Sequence, residues 1–174
     1  MVIGRSGASG GQARPAMVLL LGTMLLSLGC SNGSYFESMI EDFPKRKSSL
    51  EAAKAQILSL KEKAGLISYS RVNRDTDQVV MNDLSILDVR EHLDGKLSLV
   101  KSDLVTLKTL LVDVGIESVE VVQGGAVFIV MRSGGTLGSD LGYLYGSKSE
   151  LAPFSYKGDF VLLSGELKWY AVYR

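Results

Sequence analysis

Residues 116–132, IESVEVVQGGAVFIVMR, decide the fold. Ile116–Val122 and Ala126–Arg132 are rich in β-branched residues, and Gln123-Gly124-Gly125 between them has the composition of a hairpin turn. Ala126 to Met131 is apolar at every position, which suits a central strand covered on both faces. Immediately upstream the period is different. Leu97, Val100, Leu104, Leu107, Leu111 and Val114 are spaced 3, 4, 3, 4 and 3 apart, the step of one helix face, and Gly115 ends that helix. Helix therefore gives way to sheet at Gly115.

Downstream, Leu141–Tyr145, Asp159–Leu163 and Glu166–Tyr173 continue the strand pattern between glycine-rich and polar segments. Leu167, Trp169, Ala171 and Tyr173 alternate with Lys168 and Tyr170, as a half-buried strand requires. Upstream, Ile67 to Val72 and Gln78 to Met81 form a candidate hairpin around residues 73–77, and Leu84 to Leu93 a candidate short helix. Ser34 with Glu37 has the form of a capping box that opens a helix bearing Phe36, Met39, Ile40 and Phe43, which Pro44 is expected to end. Ser48 with Glu51 repeats the capping signal. Leu50, Ala53, Ile57, Leu60 and Ala64 then step by 3 and 4 until Gly65. That stripe can seat on a core or on a partner helix. It is shorter than the three heptads a coiled coil needs, which favours the core. The expected architecture is α+β, with N-terminal helices packed on a C-terminal antiparallel sheet of about four to five strands.

The first 30 residues belong to a different physics. Residues 1–15 carry Arg5 and Arg14 and no acid, and Ala16–Leu28 is a nearly unbroken apolar run of 13 residues. A spanning helix needs about 20 apolar residues. Gly29 and then Cys30, the only cysteine of the chain, follow. Charged, apolar and small segments in that order make a secretory signal peptide. Leu26-Ser27-Leu28-Gly29-Cys30 resembles the lipobox of bacterial lipoproteins, although that family usually carries Leu three places before the cysteine, where this chain has Ser27. The resemblance implies cleavage before Cys30, a diacylglyceryl thioether on its sulfur and an acylated amine. The alternative is an ordinary signal peptide cleaved nearby, leaving a free thiol. Three acyl chains would make attachment effectively permanent, because each buried CH₂ contributes about 0.8 kcal/mol. Ser31 stands where enteric-type lipoproteins retained in the inner membrane carry Asp, so the resemblance points to the outer membrane, facing the periplasm.

This reading divides the chain into a signal at residues 1–29, a flexible lipidated tether at 30–34 and a single α+β domain at 35–174. Without the two signal arginines, 17 Lys plus Arg face 19 Asp plus Glu, a net of −2. That balance offers no electrostatic footprint for nucleic acid and no polybasic patch for a membrane surface. One cysteine allows no disulfide within the chain, so the core alone must hold the fold.

Catalytic and metal signatures are sparse. His92 is the only histidine, which leaves no zinc-type ligand set, and no cofactor or metal is expected. Asp75-x-Asp77 begins like a calcium loop, but Val79 and Val80 replace the acid and the glycine such a loop needs. Ser98 and Lys101 match S-x-x-K without either companion motif, and His92 beside Glu91 and Asp94 reads as solvated. Gly134 to Gly138 and Gly146 to Ser149 lack the G-K-[ST] of a phosphate loop and read as turns. The expectation is a non-enzymatic envelope lipoprotein that binds a protein partner. Nine of the 13 aromatic residues lie at or beyond residue 126, and Tyr143, Tyr145, Trp169 and Tyr170 are the candidate partner-binding residues. The G-Y-x-Y of residues 142–145 followed by the closing W-Y-A-V-Y of residues 169–173 is similar to a group of small, immunity-like bacterial proteins, in which a G-Y-x-Y strand precedes a closing W-Y-x-Y strand. That similarity implies a narrower alternative, an immunity protein neutralising a toxin. A structural or assembly lipoprotein docking an envelope complex through the Leu50–Ala64 stripe is another.

Overall fold

The computed structural model describes residues 16–72, 76–122, 124–133, 140–146, 159–163 and 168–173, with side chains from Ser34 onward except at 159 and 160. Contacts divide the chain into two compact units, Met1–Tyr35 and Phe36–Arg174. Helix α1 (Ala16–Ala64) is followed by β1 (Leu66–Arg71), β2 (Asp77–Met81), β3 (Ile86–Asp88) and the single turn α2 (Val89–His92). A 3₁₀ turn at Ser98–Val100 leads into α3 (Lys101–Val114). Strands β4 (Ser118–Val121), β5 (Val127–Arg132), β6 (Leu141–Tyr145), β7 (Asp159–Leu162) and β8 (Trp169–Tyr173) complete the order. All eight strands join one antiparallel sheet in the order β3-β2-β1-β4-β5-β6-β8-β7.

The α+β class holds, but the sheet has eight strands rather than four to five, and it is not confined to the C-terminal half. The candidate hairpin at 67–81 forms as β1 and β2 and joins the same sheet, because β1 pairs with β4 through Tyr69 and Val119. Leu84–Leu93 is not a helix. Ile86–Asp88 pairs with β2, and Asp88 then caps one helical turn by accepting from the amides of Arg90 and Glu91.

Pro44 does not end the first helix. It lies exposed inside α1, and Ser34, Glu37, Ser48 and Glu51 are helix-interior residues rather than caps. An interior proline costs about 3 kcal/mol. Against that, Met39 and Phe43 before it share one buried face with Leu50, Ala53, Ile57 and Leu60 after it. Each large side chain so buried contributes roughly 1.5–3 kcal/mol, so packing across the proline wins. Residues 30–34, expected as a flexible tether, are also helical within α1. Extending a helix whose next turns are already held requires no new nucleation.

The helical spacing read from the sequence is met in α3, where Leu104, Leu107 and Leu111 are buried, as are Leu97 and Val100 just before it. Gly115 ends α3 at φ 77°, a left-handed conformation open to glycine, while the Ile116 amide reaches back to the Leu111 carbonyl at 2.8 Å. The two long helices are tied by polar contacts: Arg46 Nη1 donates to the Val114 carbonyl at 3.0 Å, Gln56 Nε2 to the Asp103 carbonyl at 3.2 Å, and Lys63 pairs with Asp103 at 2.7 Å. Among the described residues no helix is long and apolar enough to cross a membrane.

Both faces of the sheet centre are buried. Val127 and Ile129 face the helices, while Phe128 and Val130 join Ala126, Leu144 and Val172 in a second apolar cluster on the opposite face. Gly142 lets β5 and β6 approach there, since a Cβ at that position would lie 2.2 Å from the Ile129 carbonyl oxygen.

The Leu50–Leu60 stripe is core. Ile57→Ala should lower the unfolding free energy by about 2–5 kcal/mol in urea titrations. An unchanged midpoint would mean that the stripe serves a partner instead.

Candidate functional site

Strand β1 turns Tyr69 toward the helices, and β2 opens with Asp77 on the same face. Above them α3 places Leu104, Val105 and Lys108, and the short α2 segment places Val89, Arg90 and Leu93. Because α2 is a single turn, it cannot cover the sheet as α1 and α3 do. A cleft of about 450 Å³ remains between these elements. Its polar groups are unusually deep. Tyr69 is 0% exposed and Asp77 6%, whereas the Lys108 side chain is 46% exposed at the mouth. Lys108 Nζ donates to Asp77 Oδ2 at 2.5 Å. The Tyr69 hydroxyl is buried without a hydrogen-bond partner among the described residues. Burial first, then the charge of the neighbouring Asp77 and the approach of its carboxylate to the hydroxyl, push the Tyr69 phenol far above its ordinary value. Tyr69 is therefore a neutral hydroxyl at every physiological pH, available to donate one hydrogen bond.

A second polar cluster ties α1 to β6 and β8. Trp169 Nε1 donates to Glu51 Oε1 at 2.8 Å, Lys54 pairs with the same carboxylate, and Lys54 Nζ lies 3.7 Å from the centre of the Tyr145 ring. Phe43 packs on both Tyr143 and Trp169, with ring centres 5.7 and 5.8 Å apart, and Tyr143 Oη donates to the Met39 carbonyl at 2.7 Å. Burial pushes the Glu51 carboxyl up, but the hydrogen bonds from Lys54 and Trp169 together with the charges of Lys54 and Lys47 hold the group below its ordinary 4.5.

The four aromatic residues singled out from the sequence do not form one surface. Tyr143 and Trp169, at 0% and 1% exposure, are core residues that a partner cannot reach. Tyr145 is half-buried under Lys54, and Tyr170 packs against the apolar cluster on the opposite sheet face. Residues 169 and 170 are neighbours on one strand, so their side chains point to opposite faces. The catalytic near-matches also come apart. Lys101 pairs with Asp94 at 2.8 Å, and His92 Nδ1 lies 3.1 Å from the Asp88 carbonyl. Asp77 faces Lys108, while Asp75 lies outside the described residues, as do Gly134–Gly138 and Ser147–Ser149; the Cys30 side chain is likewise not among those described. Among the described residues no three His, Cys, Asp or Glu side chains cluster as metal ligands would.

Tyr69, Lys108 and Arg90 carry no motif, and sequence reasoning passes over them. Tyr69 stands in a hairpin arm and Lys108 in a helix, and only the pairing of β1 with β4 under α3 brings them together. No protein-family model, curated protein or solved structure matches this chain.

Tyr69→Phe removes a buried hydroxyl that makes no full hydrogen bond, so unfolding titrations should find the variant as stable as the parent, or more stable by up to about 1–3 kcal/mol. A clear loss of stability would show that the hydroxyl is bonded after all. For Glu51 the folded carboxyl titrates below its unfolded value, so its contribution is present above pH 4.5 and is lost as pH falls through the folded value. Urea titrations from pH 6 down to 3 should therefore show a shallower acid loss of stability in Glu51→Gln than in the parent.

Proposed function

We propose that this chain is a non-enzymatic binding protein of the bacterial cell envelope. It is anchored through lipid on Cys30 and presents residues 36–174 to the periplasm from the outer membrane, where they engage a protein partner. The observation that carries the anchor is the order of Arg5 and Arg14, the apolar run Ala16–Leu28, Gly29 and the lone Cys30. The body beyond residue 35 packs as a compact unit of its own, which is the arrangement an anchored domain needs. Its cleft offers groups suited to recognition: a neutral hydroxyl, a neutralised ion pair and apolar walls.

Docking of an envelope assembly through the Leu50–Ala64 stripe loses its support, because Leu50, Ala53, Ile57 and Leu60 are spent on the internal core. The immunity reading is a narrower form of the same proposal. The two segments behind it, residues 142–145 and 169–173, lie side by side as β6 and β8.

Cells fed a clickable palmitate analogue should label the parent chain and leave Cys30→Ala unlabelled. The parent should also partition into the detergent phase of a Triton X-114 extract, while the variant stays in the aqueous phase. Equal labelling of both would overturn the anchor. Crosslinking of the parent in intact envelopes should then yield one stoichiometric protein partner, and a reproducibly empty crosslink would overturn protein binding.

A further inference from the structure

The cleft between α2, α3 and the sheet has a chemical preference that can be read from its charges. Asp77 and Lys108 neutralise each other at 2.5 Å. The Arg90 guanidinium, which also lines the cleft, pairs with no described residue and is left as the uncompensated charge among the described lining groups. The buried Tyr69 hydroxyl, which lies beside the Asp77 carboxylate without a full hydrogen bond to it, supplies a further donor in the same cleft. Val89, Leu93, Leu104 and Val105 supply apolar wall. The volume of about 450 Å³ far exceeds the roughly 30 Å³ share of one water and falls in the range of small-ligand sites.

We propose that this cleft binds a singly charged carboxylate carried on a short branched apolar group, with Tyr69 Oη and the Arg90 guanidinium as donors to the carboxylate and the Val89, Leu93, Leu104 and Val105 side chains around the apolar part. An amine would have to displace Lys108 from Asp77, and a phosphate dianion would meet one free cation of the described lining where it needs two. The buried hydroxyl, which bonds to none of the described residues, is accounted for by this use. Binding sites commonly hold such groups at a cost in stability. The same chemistry is offered by a free branched-chain acid and by the C-terminal leucine of a peptide. The inference rests on the reading of residues 36–174 as a binding domain.

The full chain in a non-ionic detergent, titrated with 4-methylpentanoate, 4-methylpentanamide and 3-methylbutylamine, tests it by NMR shifts of the cleft residues. The acid should bind at least about ten-fold more tightly than the amide or the amine. Tyr69→Phe and Arg90→Gln should each weaken it by about ten-fold or more, as loss of a hydrogen bond to a charged group does. Arg90 is exposed, so its variant keeps the fold and remains informative if Tyr69→Phe does not. N-acetyl-Gly-Leu as free acid and as amide then separates the sources. Tight binding of the peptide acid assigns the site to a protein terminus, and binding of 4-methylpentanoate alone assigns it to a small acid. Equal affinity for acid and amide, or variants that bind like the parent, would overturn the inference. If the acids fail while crosslinking still captures a partner, the binding-domain reading stands and this site assignment falls.

Discussion

One row of side chains holds this protein together. Leu87, Val79, Tyr69, Val119, Ile129, Tyr143, Ala171 and Val161 stand opposite one another across all eight strands, and every one but Val161 is buried. A sheet face of that width must be covered, and α1 and α3 are the elements that cover it. The demand is strong enough to carry α1 straight through Pro44. Tyr143 fastens the helix just before the proline through the Met39 carbonyl, and Phe43 is wedged between Tyr143 and Trp169. Leu50 to Leu60 continue the same face beyond it. The missing amide of one proline is small against the six buried positions Met39, Phe43, Leu50, Ala53, Ile57 and Leu60.

Coverage is uneven along that row, and the unevenness creates the cleft. α1 lies over β6 and β8 and α3 reaches over β1 and β2, whereas the β2–β3 edge receives only the single turn α2. Polar groups are buried there that a complete roof would have excluded. Asp77 tolerates its depth because Lys108 reaches it from α3, and losing either partner would leave a buried charge uncompensated. Tyr69 has no such relief. A buried hydroxyl without a full hydrogen bond, lining a cleft, calls for an explanation beyond the fold.

The opposite face of the sheet follows a separate logic. Phe128, Val130, Leu144 and Val172 form their own apolar cluster, so β5 is buried on both sides, as its unbroken run of apolar residues demands. The same two-sidedness explains why the aromatic residues of the C-terminal half do not gather into one binding surface. Strand alternation sends Trp169 to the helices and Tyr170 to the other cluster, and aromatic side chains are as much at home in a sheet core as at an interface.

Periodicity determined the helix at 101–114 with its glycine stop, the strands from 118 to 173 and the two-sided burial of β5, whereas the hairpin of residues 67–72 and 78–81 was only a candidate until the sheet formed. These depend on near neighbours in the chain, where side-chain spacing and turn residues act directly. The order of charged, apolar and small residues up to Cys30 likewise belongs to the sequence, since it is a pattern of near neighbours in the chain. What tertiary structure decided is whatever needs partners far apart in sequence. The pairing of β1 with β4 made one eight-stranded sheet of two hairpin groups, and packing overrode Pro44. The meeting of Tyr69, Asp77, Arg90 and Lys108 required β1, β2, α2 and α3 to converge. No local pattern encodes that convergence, because each of those residues is ordinary in its own segment and becomes unusual through burial beside the others.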